Sequence, residues 1–125
     1  MLRALAQGDK IDSLACIILN KKVMEKMATS YSRELMVSIP QGTLIDIETT
    51  GLDSSHDEIV IFGYVERNYL HIICRTSEDE KPFVAQLAKL VPELSRPFYA
   101  YNLSFEKGFL KAKGMNIEGI DLFQP

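Results

Sequence analysis

The sequence has few cysteines: only Cys16 and Cys74 occur in its 125 residues. This pair lacks the spacing of a metal-binding motif, and two cysteines are too few for a disulfide framework. Each lies in a short apolar run, which predicts buried free thiols. Free thiols are typical of a reducing compartment, so we expect a cytoplasmic protein.

Long hydrophobic runs are also absent. No apolar run approaches the ~20 residues that a membrane-spanning helix needs. The first residues lack the charged start, apolar stretch and small-residue cleavage site of a secretory signal. With 46% hydrophobic and 25% charged residues, the composition predicts a soluble protein with one compact domain.

An excess of positive charge is missing too. The formal net charge is −3, whereas proteins that coat nucleic acid through nonspecific charge are usually basic. The acidic balance therefore argues against a DNA-coating module. It leaves room for a metal-dependent enzyme that acts on nucleic acid, because bound cations would supply the local positive charge.

The character of the chain changes near residue 42. Residues 11–28 carry apolar side chains at helical spacing, with lysines in the second half, which predicts an N-terminal helix. Residues 29–42 are predicted to form a connector with a short strand at 35–39. We therefore expect an N-terminal helical segment and connector over residues 1–42, and the main domain over residues 43–125.

Three strands are predicted at the start of the main domain. Runs of β-branched and aromatic residues place them at residues 43–49, 58–66 and 69–75. The connection between the second and third consists of Arg67 and Asn68. Two-residue connections are typical of antiparallel hairpins, so we expect a hairpin here.

Two helices and two further strands follow. A helix capped by Asp79 has Pro82 in its first turn, where the missing N–H is not needed. Residues 97–102 are predicted to form a strand, residues 104–113 the second helix, and the segment around Ile120 the last strand. The first helix can act as a crossover, which would bring the strand at 97–102 parallel to the first strand of the domain.

Two acidic residues, Asp46 and Glu48, lie on the strand predicted at residues 43–49. Strand alternation puts both side chains on one face, roughly 6–7 Å apart. Their apolar neighbours indicate a buried strand, where carboxylates cost free energy unless something compensates them. A divalent cation compensates both, and oxygen ligands suit Mg²⁺ or Mn²⁺. The alternative is that they lie at an exposed strand end and pair with lysines.

A tight turn is predicted directly after these acids. Residues 49–52 read Thr-Thr-Gly-Leu, and Gly51 is free to adopt a positive φ there. Such a turn would expose backbone N–H groups and threonine hydroxyls beside the carboxylates. These groups would hold the end of a nucleotide.

Two motifs resemble a known family. Residues 46–52, Asp-Ile-Glu-Thr-Thr-Gly-Leu, resemble the first motif of the DEDD superfamily of 3′–5′ exonucleases. Residues 100–110, Ala-Tyr-Asn-Leu-Ser-Phe-Glu-Lys-Gly-Phe-Leu, resemble its second motif, an Asn followed by Phe-Asp and an apolar pair. The chain is most similar to prokaryotic, largely uncharacterised branches, over about residues 43–123. The resemblance implies an α/β fold: a ribonuclease H-like mixed sheet, with an antiparallel hairpin and a parallel strand, flanking helices and an N-terminal helix.

The resemblance also implies a function. It predicts a metal-dependent nuclease, a 3′–5′ exonuclease that hydrolyses phosphodiester bonds at single-stranded DNA or RNA ends with two metal ions. Asp46 and Glu48 would hold the first Mg²⁺ or Mn²⁺ ion, and Asp46 would bridge to the second. Glu106 would support the second ion directly or through water. The residues implied to bind the terminal nucleotide are Thr49, Thr50, Gly51, Leu52, Asn102 and Phe105.

The chain departs from the family pattern at two points. Glu106 stands where the family usually has Asp, and its extra methylene would move the carboxylate outward. The family's fourth acid, on a later helix after a His or Tyr general base, has no counterpart before Pro125. Asp121 falls on a strand, and His56 and His71 come too early. Three explanations follow: a fragment of a longer nuclease, an acid supplied by a partner, or lost catalysis.

Several side chains have plainer explanations. Phe105 is expected to pack between helix and sheet, and Asn102 is equally suited to cap the second helix. Lys107 and Lys111 share a helix face, which we expect to be solvated. The alternative function is a noncatalytic ribonuclease H-like nucleic-acid-binding or oligomerisation module, with the N-terminal helix or the sheet edge as a candidate homodimer surface. A third reading is an unrelated α/β binding protein.

Overall fold

A computed structural model describes residues 30–123. The helix predicted at residues 11–28, and with it the candidate dimer surface on that helix, lies outside the described residues. The described strands are β1 (Ser30–Glu34), β2 (Thr43–Thr49), β3 (Ile59–Glu66), β4 (Tyr69–Cys74), β5 (Phe98–Ala100) and β6 (Gly119–Asp121). The described helices are α1 (Lys81–Leu90), which runs into a 3-10 turn (Val91–Glu93), and α2 (Leu103–Ala112).

All the described strands form one mixed sheet in the order β1-β4-β3-β2-β5-β6. The neighbours from β1 to β2 run antiparallel, whereas β2, β5 and β6 are parallel. Helix α1 lies in the connection between β4 and β5. The α/β architecture is therefore confirmed, including the antiparallel hairpin and the parallel strand beside β2. No helix of residues 30–123 has the length and apolar character to cross a membrane.

The hairpin between β3 and β4 has the predicted two-residue connection. Glu66 pairs with Tyr69, and Arg67 adopts a φ of 54° in the left-handed region. Few residues other than glycine adopt that conformation, because the side chain crowds the backbone there. An arginine at this position is therefore unusual.

The first strand was predicted in the wrong place. The structure has β1 at Ser30–Glu34, paired with β4 at the edge of the sheet, and no strand at residues 35–39. Four of its five residues are exposed, so β1 carries no alternating apolar signal. The backbone N–H of Ile39 instead donates to the carbonyl of Arg67 at 2.7 Å, which ties the connector to the hairpin.

Both faces of the sheet are covered by apolar side chains. Ile45 and Ile47 of β2 pack with residues of both helices, including Leu87 and Phe109. Leu44 belongs to a second cluster on the opposite face. The alternation along β2 gives Asp46 and Glu48 the same face as Leu44. Strand β2 is thus central and well buried, as predicted.

Both helices start and end close to their predicted positions. Helix α1 begins at Lys81, one residue later than a cap at Asp79 implies, with Pro82 in the first turn. The Asp79 carboxylate accepts the backbone N–H of Lys81 at 2.9 Å, which is the contact expected of a capping side chain. Helix α2 ends before Gly114, whose φ of 90° suits glycine.

The prediction of free thiols is wrong for Cys74. This residue ends β4, where it is half-buried rather than part of the core, and it is disulfide-bonded. Cys16 lies outside the described residues. The argument from free thiols therefore no longer supports a cytoplasmic location, which stays a prediction.

Candidate functional site

The site forms where the pairing of β2 with β5 stops. Strand β5 pairs with β2 only at Thr43 and Leu44, and helix α2 begins shortly after β5 ends. The first turns of α2 therefore lie beside the edge of β2 that continues past Leu44. There the backbone N–H of Ile47 donates a hydrogen bond to the carboxylate of Glu106.

Glu106 and Asp46 form a carboxyl pair at this edge. The Glu106 side chain is 4% exposed, and its carboxyl is hydrogen-bonded to that of Asp46. Burial is the main cause that raises the pKa of Glu106 from 4.5 to about 7, and the charge and hydrogen bond of Asp46 add to it. The backbone N–H groups of Glu106 and Ile47 act in the opposite direction. The pair therefore holds a proton up to about neutral pH.

One oxygen of this pair is unsatisfied. Glu106 Oε2 is buried and has no hydrogen-bond partner. Leaving a buried polar atom unpaired costs roughly 1–3 kcal/mol, more when it is charged. Such an atom in a native fold calls for an explanation, such as a bound ion.

A hard divalent cation fits this donor set. Mg²⁺ and Mn²⁺ prefer carboxylate oxygens, and a cation would replace the shared proton and satisfy Oε2. The carboxyl of Glu106 reaches that of Asp46 directly. Because α2 begins after the end of β5, the longer side chain of glutamate is suited to span the distance from α2 to Asp46 on β2.

Glu48 does not complete a cluster with this pair. It lies two residues beyond Asp46 on the same face, half-buried, opposite Ile61 of β3. Within residues 30–123, no three His, Cys, Asp or Glu side chains converge closely enough to hold a metal ion. The described residues thus offer two converged ligands, with Glu48 nearby along the strand.

The turn after β2 is held by its own threonines. The Thr49 hydroxyl donates to the carbonyl of Gly51 at 2.6 Å. The Thr50 hydroxyl accepts the N–H of Glu58 at 2.9 Å and donates to Asp57 at 3.3 Å. Both hydroxyls therefore stabilise the loop, whereas the prediction had them open to a nucleotide.

Gly51 is required for space rather than for a positive φ. The described glycines at positive φ are Gly42 and Gly114, so that part of the prediction is wrong. A Cβ at Gly51 would lie 2.4 Å from an Asp57 carboxylate oxygen. The same carboxylate accepts the N–H of Asp53 at 2.9 Å, so it cannot move without losing loop hydrogen bonds.

We expect Gly51→Ala to lower the free energy of unfolding by about 1–3 kcal/mol, because overpacking would displace Asp57. Urea denaturation measures the loss. In an Asp57→Ala background the same change should cost much less, since the clash is gone. Equal costs in the two backgrounds would show that the contact with Asp57 does not matter.

Leu52, Phe105 and Asn102 differ in what they can offer a substrate. Leu52 is 88% exposed at the tip of the loop, so its side chain is available to a ligand. Phe105 is half-buried against the core and contacts Phe109 with ring centres 5.0 Å apart. Asn102 occupies the N-cap of α2 without a side-chain cap, and its Oδ1 accepts the hydroxyl of Ser104. The packing explanation for Phe105 is confirmed.

Both histidines form hydrogen bonds with neighbouring polar side chains. His56 contacts Asp53 at 2.7 Å in the exposed loop. Hydrogen bonds from Ser55 and then His56 lower the pKa of Asp53 to about 2. His71 contacts Ser32 at 2.7 Å on the sheet. Within residues 30–123, neither histidine forms a hydrogen bond or ion pair with Asp46 or Glu106.

Two other predicted polar residues also have local partners. Lys107 forms an ion pair with Glu118 at 3.0 Å. Asp121 lies on β6, as predicted, and accepts the N–H of Phe123 at 2.9 Å. These contacts fit a solvated helix face and a strand end better than a phosphate site.

A buried ion pair behind the site was missed. Lys113 Nζ lies 2.8 Å from Glu80 Oε1 and donates to the carbonyl of Asp57 at 3.1 Å. The other oxygen of Glu80 accepts the backbone N–H of Ile59 at 2.6 Å. The pair joins the end of α2 to the start of α1 and to the loop after β2. No local pattern predicts a contact between residues so far apart in sequence.

Comparisons with protein-family models, with curated proteins and with solved structures returned no match. The assignment of this site therefore depends on its geometry and chemistry.

Proposed function

We propose that this chain is a divalent-cation-dependent nuclease of the ribonuclease H-like type. Its reaction would be phosphodiester hydrolysis, as a 3′–5′ exonuclease on single-stranded DNA or RNA. The observation that carries the proposal is the buried Asp46–Glu106 carboxyl pair with its unsatisfied Oε2. A buried carboxyl pair of this kind destabilises the fold, and such pairs are typical of functional sites, here a site for a cation.

The fold supports this proposal. The carboxylate strand β2 is central in a mixed sheet, between an antiparallel hairpin and the parallel strand β5. The second acid comes from the helix that follows β5. This arrangement agrees with what the two sequence motifs imply for a ribonuclease H-like domain.

The proposed roles follow from the contacts. Asp46 and Glu106 would hold the cation as ionised carboxylates, and Glu48 would add an oxygen from the same strand. When bound, a divalent cation supplies charge stabilisation for the phosphate and lowers the pKa of a water nucleophile. Exposed Leu52 would pack against the terminal base, and the hydrogen-bonded loop at 50–58 would hold Leu52 in position.

A labelled single-stranded oligonucleotide tests the proposal. With Mg²⁺ or Mn²⁺, we expect stepwise shortening from the 3′ end of DNA or RNA. Asp46→Asn and Glu106→Gln should abolish it, because each removes an ionised ligand. Asp121→Asn is the matched control and should keep the activity, since asparagine can still accept the N–H of Phe123. Metal-independent cleavage, or cleavage unchanged in Asp46→Asn, would contradict the proposal.

A noncatalytic ribonuclease H-like module is the second candidate. It is favoured by the finding that the described residues bring only two acidic side chains together. This module would bind the cation and nucleic acid without turnover. Stabilisation by Mn²⁺ that requires Asp46, together with no shortening of any oligonucleotide, would support it over the nuclease.

A further inference from the structure

A cavity lies near the start of β2, away from Asp46 and Glu106. Its volume is about 450 Å³, within the range of small-molecule sites. It lies between the connector at residues 39–42 and the β3–β4 hairpin. Glu66 in its wall pairs with Thr43 at the start of β2, and Asp46 is roughly 10 Å further along that strand. The cavity is therefore separate from the carboxyl pair.

Arg67 lines this cavity with a positively charged side chain. Within residues 30–123, its guanidinium has no hydrogen-bond or ion-pair partner. Its φ of 54° would suit glycine or asparagine far better. Unfavourable backbone conformations are typical of functional positions. The sequence thus has an arginine in an unfavourable backbone conformation at a position that lines the cavity, and the planar set of donors of a guanidinium matches phosphate oxygens.

Aromatic rings stack beside Arg67. The His71 ring lies 4.7 Å from the Tyr64 ring at 22° and 6.4 Å from the Tyr69 ring at 27°. Tyr69 is 46% exposed and lines the cavity with His71. The hydroxyl of Ser32 contacts His71 Nδ1 at 2.7 Å and fixes the ring. An exposed ring in such a stack offers a face to a nucleobase.

Glu66 adds an acceptor on the same wall. Its Oε2 accepts the N–H of Ser95 at 2.8 Å. The Thr43 hydroxyl, which donates to the carbonyl of Ser95 at 2.6 Å, lies 3.4 Å from the same oxygen. Among the described residues no group donates to Glu66 Oε1. The carboxylate is therefore held in place with one oxygen left for an amino group of a base.

We propose that this cavity binds a nucleotide, with its phosphate on Arg67, its base against Tyr69 and a base amino group on Glu66. The same chemistry occurs in a free nucleotide and in one nucleotide of a single strand. The proposal does not depend on metal binding or cleavage at Asp46 and Glu106.

Calorimetric titration in EDTA with AMP, adenosine and a hexadeoxyadenylate tests it. Arg67→Gly should weaken AMP binding about tenfold or more, because a contact with the phosphate is lost. It should leave adenosine binding unchanged, because adenosine has no phosphate. Glycine suits a φ of 54°, so this variant keeps the turn. Tyr69→Ala should weaken AMP and adenosine alike, whereas Tyr69→Phe should bind normally.

The outcomes distinguish a free nucleotide from a nucleotide within a single strand, and binding in the cavity from cleavage at Asp46 and Glu106. AMP binding without hexamer binding supports a free nucleotide. Hexamer binding that Arg67→Gly weakens supports a nucleotide within a strand. Because EDTA removes the cation that cleavage requires, these titrations measure binding independently of nuclease activity, and binding should be present even if the chain shows no cleavage. The proposal is overturned if neither ligand binds, or if Arg67→Gly binds AMP as tightly as the wild type.

Discussion

Replacing Lys113 with methionine is expected to lower the free energy of unfolding by about 3–5 kcal/mol, the usual cost of leaving a buried charge without its partner. The side chains of Lys113 and Glu80 are only 16% and 10% exposed. Without the ammonium, the Glu80 carboxylate keeps just the N–H of Ile59 to offset its burial. Urea denaturation at pH 7 measures the loss.

A double variant separates the charge effect from simple loss of packing. The variant Lys113→Met/Glu80→Gln removes both charges of this ion pair, and the glutamine oxygen can still accept the N–H of Ile59. We expect this variant to be more stable than Lys113→Met alone. If both variants lose the same stability, or if Lys113→Met costs less than about 1 kcal/mol, the pair behaves like a surface salt bridge.

The ion pair also links stability to the site. Glu106 is in the first turn of α2, and Lys113 follows the last residue of that helix. Lys113 fixes this end of α2 to Glu80 and to the carbonyl of Asp57. The position of α2 relative to β2 determines whether Glu106 reaches Asp46. We therefore expect Lys113→Met to weaken Mn²⁺ binding even where the protein stays folded.

The elements that could be predicted from the sequence are those with strong periodicity. The bounds predicted for β2 were correct, and those of β3 and β4 were correct within one residue, because their apolar residues face two buried sides of the sheet. Strand β1 was missed because its side chains are mostly exposed at an edge. It pairs with β4 through backbone hydrogen bonds, which do not require particular residue types and so cannot be read from the sequence.

The site could be predicted only in part. Asp46 and Glu106 were recognised as acids of two motifs, and the structure brings them together. Their shared proton and the orphaned Oε2 depend on how deeply α2 packs against the edge of β2, which no local pattern encodes. The contacts of Glu80 with Lys113 and of Gly51 with Asp57 are likewise tertiary. Sequence analysis could name the chemical groups but not their partners.

In the absence of metal, the wild-type protein is expected to lose stability as the pH rises from about 4.5 to about 7. Glu106 has an ordinary pKa of 4.5 and a folded-state pKa of about 7. The folded state therefore holds its proton more tightly than the unfolded chain. The stabilisation is complete below pH 4.5 and lost above pH 7, and at about 1.4 kcal/mol per pKa unit it amounts to about 3 kcal/mol.

Glu106→Gln isolates this contribution because glutamine is neutral at every pH and has nearly the shape of the protonated acid. Thermal melts in EDTA from pH 4 to pH 8 should show similar stabilities at low pH and a more stable variant above pH 7. Parallel curves for the two proteins would contradict the raised pKa.

Adding Mn²⁺ should make the wild type more stable than Glu106→Gln above pH 7, the reverse of the order expected in EDTA. Cation binding requires the ionised carboxylates, so the wild type should gain stability from Mn²⁺ mainly above pH 7, and Glu106→Gln should gain little. The same acid would then destabilise the metal-free fold and hold the cation. A carboxylate kept at a cost to stability, and relieved only by a cation, is what a metal-dependent site predicts and what a purely structural acid does not.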